Sequence, residues 1–476
     1  MVFHSPTFLF IFLPVCLLLY FIAAPRYRNL IALCASLVFF AAGQAFNIPL
    51  ILGMIVVNFW LGRRLERVRE QPAARVFLAT GIAVNLALLL LYKAFAAYGS
   101  GWIPGLPPDI AMPLGLSYIT FQLIAYLIDI HNEITDSEPS FLNFSLYVML
   151  FPKIITGPIT RYRDIAPQLN NREVTAQAAA AGARRFIAGL AKKVLIADTL
   201  ARVVDPAFSL STPSFTTGIA WLILVGFALQ LYFDFSGYID MAIGLGQMLG
   251  FRFAENFNYP YISKSISEFW RRWHMTLSSW FRDYVFYPLE FTRRKPSLFR
   301  QQLHILVVFL LTGLWHGLTL NFVLWGGIHG LAMALEMTGF GRWLKKTAAP
   351  IQHVYTLGVV LVSWVFFRAP DFMYALKFLA RLAGVQQGVR TLPFSVTTPL
   401  PIVENSVWLA LGLGLILSLP LLPALRRWWN KATGQRQVPA LAGTLVLDLA
   451  LIFLLVIAVA AASSRSLVAS SIYGGF

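Results

Sequence analysis

The residues able to do chemistry lie inside apolar sequence, where a polar group is costly unless it faces a cavity or a partner. His316 is the clearest case. It stands in Leu314-Trp315-His316-Gly317, late in the apolar run 302–320. A neutral imidazole there can act as general base on a hydroxyl, because its pKa lies near working pH. Gly317 would let a substrate or another backbone come close. Packing between helices is the alternative role for the same ring. His329, in Gly326-Gly327-Ile328-His329-Gly330, would face elsewhere on a continuous helix and reads as structural.

A second cluster runs from Ser265 to Asp283. Ser265 and Glu268 have capping-box spacing, so a helix should start there. On one continuous helix Arg271, His274, Ser278 and Arg282 form a polar stripe beside tryptophans. Glu268 can pair with Arg271 or Arg272. Such a helix either lies at the interface with snorkelling arginines and a tryptophan belt, or walls a cytoplasmic vestibule. In the second reading His274 points into the vestibule, Arg271 and Arg272 meet an anionic donor, and Trp273, Ser278 and Trp315 line the way. Two further clusters offer channel-lining groups. Tyr232–Gly246 carries Asp234, Ser236 and Asp240 with Gly237, Gly244 and Gly246, which suggests tight packing or a re-entrant break. Residues 113–129, which carry Gln122 and end at Asp129, and 152–163 have Gly and Pro at places that mark helix breaks. In both, the polar groups can equally serve as glue between helices, with the acids paired to nearby arginine.

What positions these groups is a membrane-embedded helical chain. Of 476 residues 58% are hydrophobic and 12% charged, against roughly 25% charged in an ordinary soluble protein. Disorder needs the opposite bias. The two cysteines, Cys16 and Cys34, sit in apolar runs, which excludes a disulfide scaffold. Lys and Arg exceed Asp and Glu, 38 to 21. They gather in short loops between apolar runs, the bias of cytoplasmic loops, which argues against nucleic acid as a partner. Such a basic face could still attract lipid headgroups or a phosphate-bearing cofactor. A spanning helix needs roughly 20 apolar residues. Candidates are 7–24, 29–46, 76–98, 110–130, 218–238, 302–320, 321–338, 353–368, 407–425 and 440–463, with shorter runs at 48–62 and 141–156. Arg26 and Arg28, the arginines of 63–75, Arg342, Lys345 and Lys346, and Arg426 to Arg436 then fall in the cytoplasm. Loop 99–109 and both termini fall outside. Residues 172–204 read as an amphipathic helix at the cytoplasmic interface. The basic, aromatic stretch 251–300 must sit at the interface or line a polar cavity. No long repeat and no soluble domain is visible. Walker, dinucleotide-binding, C-x-x-C and H-E-x-x-H motifs are absent, so metal, redox and ATP-driven chemistry has no local support.

Several of these segments together resemble the membrane-bound O-acyltransferases. They are Asp234-Phe-Ser-Gly-Tyr-Ile-Asp-Met-Ala-Ile-Gly, Glu255-Asn-Phe-Asn-Tyr-Pro-Tyr-Ile-Ser, Glu268-Phe-Trp-Arg-Arg-Trp-His274, Phe281-Arg-Asp-Tyr and Leu314-Trp-His316-Gly. The resemblance is to the bacterial branch that serves alginate O-acetylation, peptidoglycan O-acetylation and teichoic-acid D-alanylation, and it runs from Met1 to about residue 370. It implies an all-α polytopic protein: a ring of tilted transmembrane helices, with re-entrant and interfacial helices around a central funnel. On this reading 1–109 are N-terminal spans, 110–370 the core and 371–476 C-terminal spans of one integral-membrane domain. His316 matches the family's essential histidine and His274 that of its Arg-Arg-Trp-His motif. The implied donor is a cytoplasmic thioester, acyl-CoA (most simply acetyl-CoA) or an acyl carrier, with no permanently bound cofactor. The implied acceptor is an extracytoplasmic polysaccharide hydroxyl, often reached through a partner protein, at the bacterial inner membrane. Glu290-Phe-Thr-Arg-Arg-Lys departs from the alginate-type pattern, which weakens a claim of alginate as the substrate. D-alanyl transfer is the rival within the family. A proton-coupled transporter or channel is the rival of another class, although transporters more often show an internal two-fold repeat.

Overall fold

Lipid offers no partner to backbone N–H and C=O groups, so an apolar run of spanning length satisfies them within a helix. A computed structural model of the protein describes residues 1–99, 103, 110–291, 297–385, 403–432 and 437–463, and all regular structure among them is helical. In chain order the first helices are α1 (Leu13–Ile22, entered through a π turn over Phe8–Phe12), α2 (Arg28–Gln44), α3 (Ile48–Arg67), α4 (Ala73–Tyr98), α5 (Leu116–His131), α6 (Phe141–Met149), α7 (Phe151–Ile154) and α8 (Tyr162–Asn170). The middle of the chain forms α9 (Ala176–Ala191), α10 (Asp198–Ser209), α11 (Thr217–Met248), α12 (Ile266–Trp270), α13 (Met275–Phe281) and α14 (Tyr287–Phe291). There follow α15 (Leu298–His316), α16 (Leu320–Glu336), α17 (Gly339–Lys346), α18 (Ala349–Arg368), α19 (Phe372–Leu382), α20 (Asn405–Leu417), α21 (Leu421–Ala432) and α22 (Gln437–Ser463).

Among the described residues six stretches are long and apolar enough to cross a membrane: Pro25–Arg67, Ala73–Tyr98, Thr217–Met248, Leu298–His316, Ala349–Arg368 and Gly443–Ser463. Helices α16 and α17, bent by 79°, make a seventh if taken as one span. Other expected runs are divided. The run 407–425 breaks before Pro420, and 141–156 breaks at Leu150, two residues before Pro152, which cannot continue a helix interior. Loop 99–109 falls almost wholly outside the described residues, as do 292–296, Arg436 and everything after 463.

Helix α11 is the post of the assembly. It runs unbroken for 32 residues, and 78% of its most apolar window is buried. Of the two alternatives for 232–246, a re-entrant break or tight packing, the structure shows tight packing. The α11 glycines serve this close approach: a Cβ on Gly189 of α9 would stand 2.5 Å from the Gly237 carbonyl oxygen, and one on Gly182 would stand 2.5 Å from that of Gly244. The same contact corrects the expected interfacial helix over 172–204. Arg185 lies 2.9 Å and Lys192 2.6 Å from Asp240, and Lys193 lies 2.6 Å from Asp234. Bases neutralised by carboxylates of α11 need no water interface, so α9 packs along α11 rather than on the membrane surface.

Contacts sort the helix ends into two faces. At one, Arg69 reaches Asp136 (3.3 Å), Arg161 reaches Asp283 (2.7 Å), and Glu290 takes His304 (2.9 Å) at the start of α15. Glu336, ending α16, accepts from the backbone of Ile266 (2.5 Å) and Ser267 (3.0 Å), which ties the end of α16 to the start of α12. At the other face Tyr98 donates to the Leu318 carbonyl (3.2 Å), Asn321 to that of Ala369 (2.9 Å) and Arg368 to Asp205 (3.1 Å). The Lys- and Arg-rich loops lie at the first face, which is cytoplasmic on the charge argument.

Candidate active site

Helix α15 ends at His316 because Gly317 turns extended and hands the chain to α16. His316 therefore stands next to the α15–α16 turn, near the second face, and is 6% exposed. Aromatic rings wall it: Trp315 at 4.5 Å, Trp325 and Phe367 edge-on at 5.0 Å each, and Phe322 at 6.1 Å between centroids. Helices α15, α16 and α18 supply this box. Lys93 of α4 lies close enough for its charge to act on His316.

The helix expected from Ser265 through Arg282 is two pieces. Ser265 does cap α12, accepting the Glu268 N–H at 3.0 Å. The helix then stops at Trp270, and His274 adopts a left-handed backbone (φ 43°, ψ 53°) before α13 begins. This conformation costs about 1–2 kcal/mol in a residue with a Cβ. Asn256 offsets the cost by holding the turn. Its carbonyl accepts the Met275 N–H (3.0 Å), and its side-chain oxygen accepts both the N–H and the hydroxyl of Thr276 (3.0 Å each). The break takes His274 off the expected stripe and into the interior, 1% exposed, while Arg271 and Arg282 stay outside.

Asn256 also decides which nitrogen of His274 carries the proton. A backbone N–H can only donate, so the atom of Asn256 facing Thr276 N is its oxygen. That oxygen lies 3.2 Å from His274 Nδ1, which must then be the protonated nitrogen. The lone pair is left on Nε2, and Nε2 has no described hydrogen-bond partner. Burial pushes the His274 pKa down to about 3, so the ring is neutral. Its centroid is 4.8 Å from Phe235 and 6.3 Å from Trp315, the indole that touches His316. Two buried imidazoles thus flank one indole.

A cavity of about 610 Å³ lies between α13 and α15. Arg271, Ser278 and Arg282 border it, and Phe309 and Thr312 form its wall. Thr312 is one turn before His316 on the same face of α15. Neither histidine lines the cavity itself. Of the other residues singled out in the sequence, Arg272 pairs with Glu268 (2.9 Å) and the Asn258 carbonyl (3.1 Å), fastening the preceding loop. Trp273 is buried and stacked on Phe269 at 5.6 Å. Asp234 and Asp240 hold α9, and Ser236 is buried in α11. Gln122 is hydrogen-bonded to the buried Lys153, whose ammonium lies 4.7 Å from the Tyr147 ring centre. His329 is saturated: Trp270 donates to Nδ1 (3.2 Å), and Nε2 faces Ser363 Oγ (2.9 Å), which itself donates to Val360. Among the described residues no three His, Cys, Asp or Glu groups converge as metal ligands.

Sequence reasoning gave Asn256 no role beyond its place in a family-like segment, and passed over Lys93. Asn256 sits in an extended stretch with no periodic pattern. Lys93, near the end of an apolar run, looks like any snorkelling lysine.

Comparison with known proteins identifies the family. A sequence model of the membrane-bound O-acyltransferase family matches residues 131–376. The "probable alginate O-acetylase" of Pseudomonas aeruginosa is 41% identical over 424 residues, covering 83% of this chain and 80% of that one. A peptidoglycan O-acetyltransferase of Helicobacter pylori is 32% identical, over 81% of this chain and 80% of its own. A teichoic acid D-alanyltransferase of Bacillus subtilis is 29% identical, over 58% and 72%. By this family match and these identities, the chain belongs to the membrane-bound O-acyltransferase family.

Proposed function

We propose that the protein carries an acetyl group from a cytoplasmic thioester, acetyl-CoA or an acyl carrier protein, to a hydroxyl of an envelope polysaccharide outside the bacterial inner membrane, directly or through a partner protein. The observation that carries this reading is the position of His316. It stands near one face, one helical turn beyond the inner wall of a cavity whose charged rim belongs to the other.

Each part of the arrangement suits that chemistry. A thioester is already activated, so the protein must align it with an alcohol and remove a proton. His316 takes the proton of the attacking hydroxyl and returns it to the departing thiolate. His274, with a bare lone pair on Nε2, can accept a hydrogen bond from the donor's amide arm and hold it in line. Arg271 and Arg282 fit the phosphates of such a donor, and Ile305, Val308 and Phe309 fit its thin apolar arm. The aromatic walls keep water from the thioester. Membership in an acyltransferase family sets aside the reading as a proton-coupled transporter or channel. The relatives that are named O-acetylases are more similar than those named D-alanyltransferases, which favours acetyl.

The test is His316→Ala in cells, with envelope esters read by mass spectrometry. The acetyl ester should vanish while the protein stays inserted. Loss of a D-alanyl ester would change the group assigned, and unchanged esters would remove His316 from the mechanism.

A further inference from the structure

A charged amine inside a membrane bundle needs a counter-charge. The other fully buried lysines have partners: Lys153 has Gln122 and the Tyr147 ring, and Lys193 has Asp198 and Asp234. Lys93 is 5% exposed, yet no hydrogen bond or ion pair holds it among the described residues. Five residues further along α4, Tyr98 is tied to Leu318, two residues past His316. Lys93, about a turn and a half before Tyr98 on α4, is therefore held near the end of α15 where His316 stands.

We propose that Lys93 is an anion site of the reaction. It receives negative charge that arises, or is brought in, beside His316. This rests on the acyl-transfer reading above. In that step the acceptor hydroxyl gives its proton to His316 as its oxygen bonds to the thioester carbon. The carbonyl π pair moves onto oxygen as an oxyanion. Collapse re-forms the C=O bond and breaks the C–S bond, and the thiolate takes the proton back from His316. The oxyanion is one source of charge for Lys93. A carboxylate on an acidic acceptor sugar is the other. A pre-placed ammonium in a water-poor site favours either far more than it would in water.

The experiment compares the parent with Lys93→Met, Lys93→Arg and His316→Ala in nanodiscs, following thiol release from acetyl-CoA. The acceptors are water, a neutral oligosaccharide and an oligouronate. Lys93→Met should lose at least about tenfold in rate. A fall in kcat on all acceptors assigns the site to the oxyanion, and a rise in KM on the oligouronate alone assigns it to a carboxylate. Lys93→Arg should keep most of the activity. The Tm of Lys93→Met should hold or rise, because an unpaired buried charge is removed. Rates within about twofold of the parent on every acceptor, with His316→Ala inactive, would overturn the proposal alone. So would a lost rate accompanied by a lowered Tm and no rescue by arginine. A fully active His316→Ala would instead sink the underlying acyl-transfer reading.

Discussion

Replacing Asn256 by leucine tests whether one side chain sets the tautomer of His274. The substitution keeps volume and removes an oxygen that accepts from His274 Nδ1 (3.2 Å), Thr276 N (3.0 Å) and Thr276 Oγ1 (3.0 Å). The Thr276 hydroxyl can turn elsewhere, which leaves two buried donors unsatisfied at about 1–3 kcal/mol each, so stability should fall by about 2–6 kcal/mol. The preference for a proton on Nδ1 falls by the worth of its own bond, about 1–2 kcal/mol, or roughly five- to thirtyfold in tautomer ratio. If turnover needs the lone pair on Nε2, kcat falls by a similar factor in whatever protein remains folded. Asn256→Asp keeps the acceptor and gives up only the Nδ2 group, which has no described partner. It should therefore retain the tautomer, and by adding charge beside the ring it should raise the imidazole pKa and introduce a new limb in the pH–rate profile. The assay is thiol release per folded molecule, with ¹⁵N spectra of labelled histidine reporting the proton. Equal loss in both variants, full activity in Asn256→Leu, or a proton found on Nε2 in the parent would refute the reasoning.

Three further outcomes follow from the packing. His274 is held near 3 against an ordinary value of 6.5, so below pH 6.5 the unfolded chain binds the extra proton. The fold should lose up to about 1.4 kcal/mol per pH unit on this account, about 2 kcal/mol at pH 5, and denaturation curves of His274→Gln should show a correspondingly flatter acid limb. Asp234→Asn strips one partner from buried Lys193, which keeps Asp198 at 2.7 Å. It should cost about 3 kcal/mol, and Lys193→Met with Asp234→Leu should recover most of that in thermal scans. Gly189→Ala forces a methyl to within 2.5 Å of the Gly237 carbonyl oxygen and should cost about 1–3 kcal/mol. Gly358→Ala, with nothing within 4 Å, should leave Tm at or above the parental value.

What the sequence could determine by itself was whatever depends on local composition. Apolar runs such as 76–98 and 353–368 had to be helices, since lipid leaves the backbone no other partner. The capping pair Ser265 and Glu268 announced the start of α12 for an equally local reason. His316 stood out because an imidazole in such surroundings is costly and therefore informative. Tertiary structure alone decided the rest. The polar stripe dissolved because Asn256, distant from any helical pattern, stabilises a left-handed turn at residue 274. Residues 172–204 have the composition of an interfacial helix, but carboxylates of α11 meet their bases. Lys93 acquired meaning only when the Tyr98–Leu318 contact brought its helix to His316, and the box around His316 needs Trp325 of α16 and Phe367 of α18. Periodicity records which face of one helix is apolar. It holds no information on which neighbour covers that face, or on whether a buried charge has met its opposite, because both depend on segments far apart in the chain.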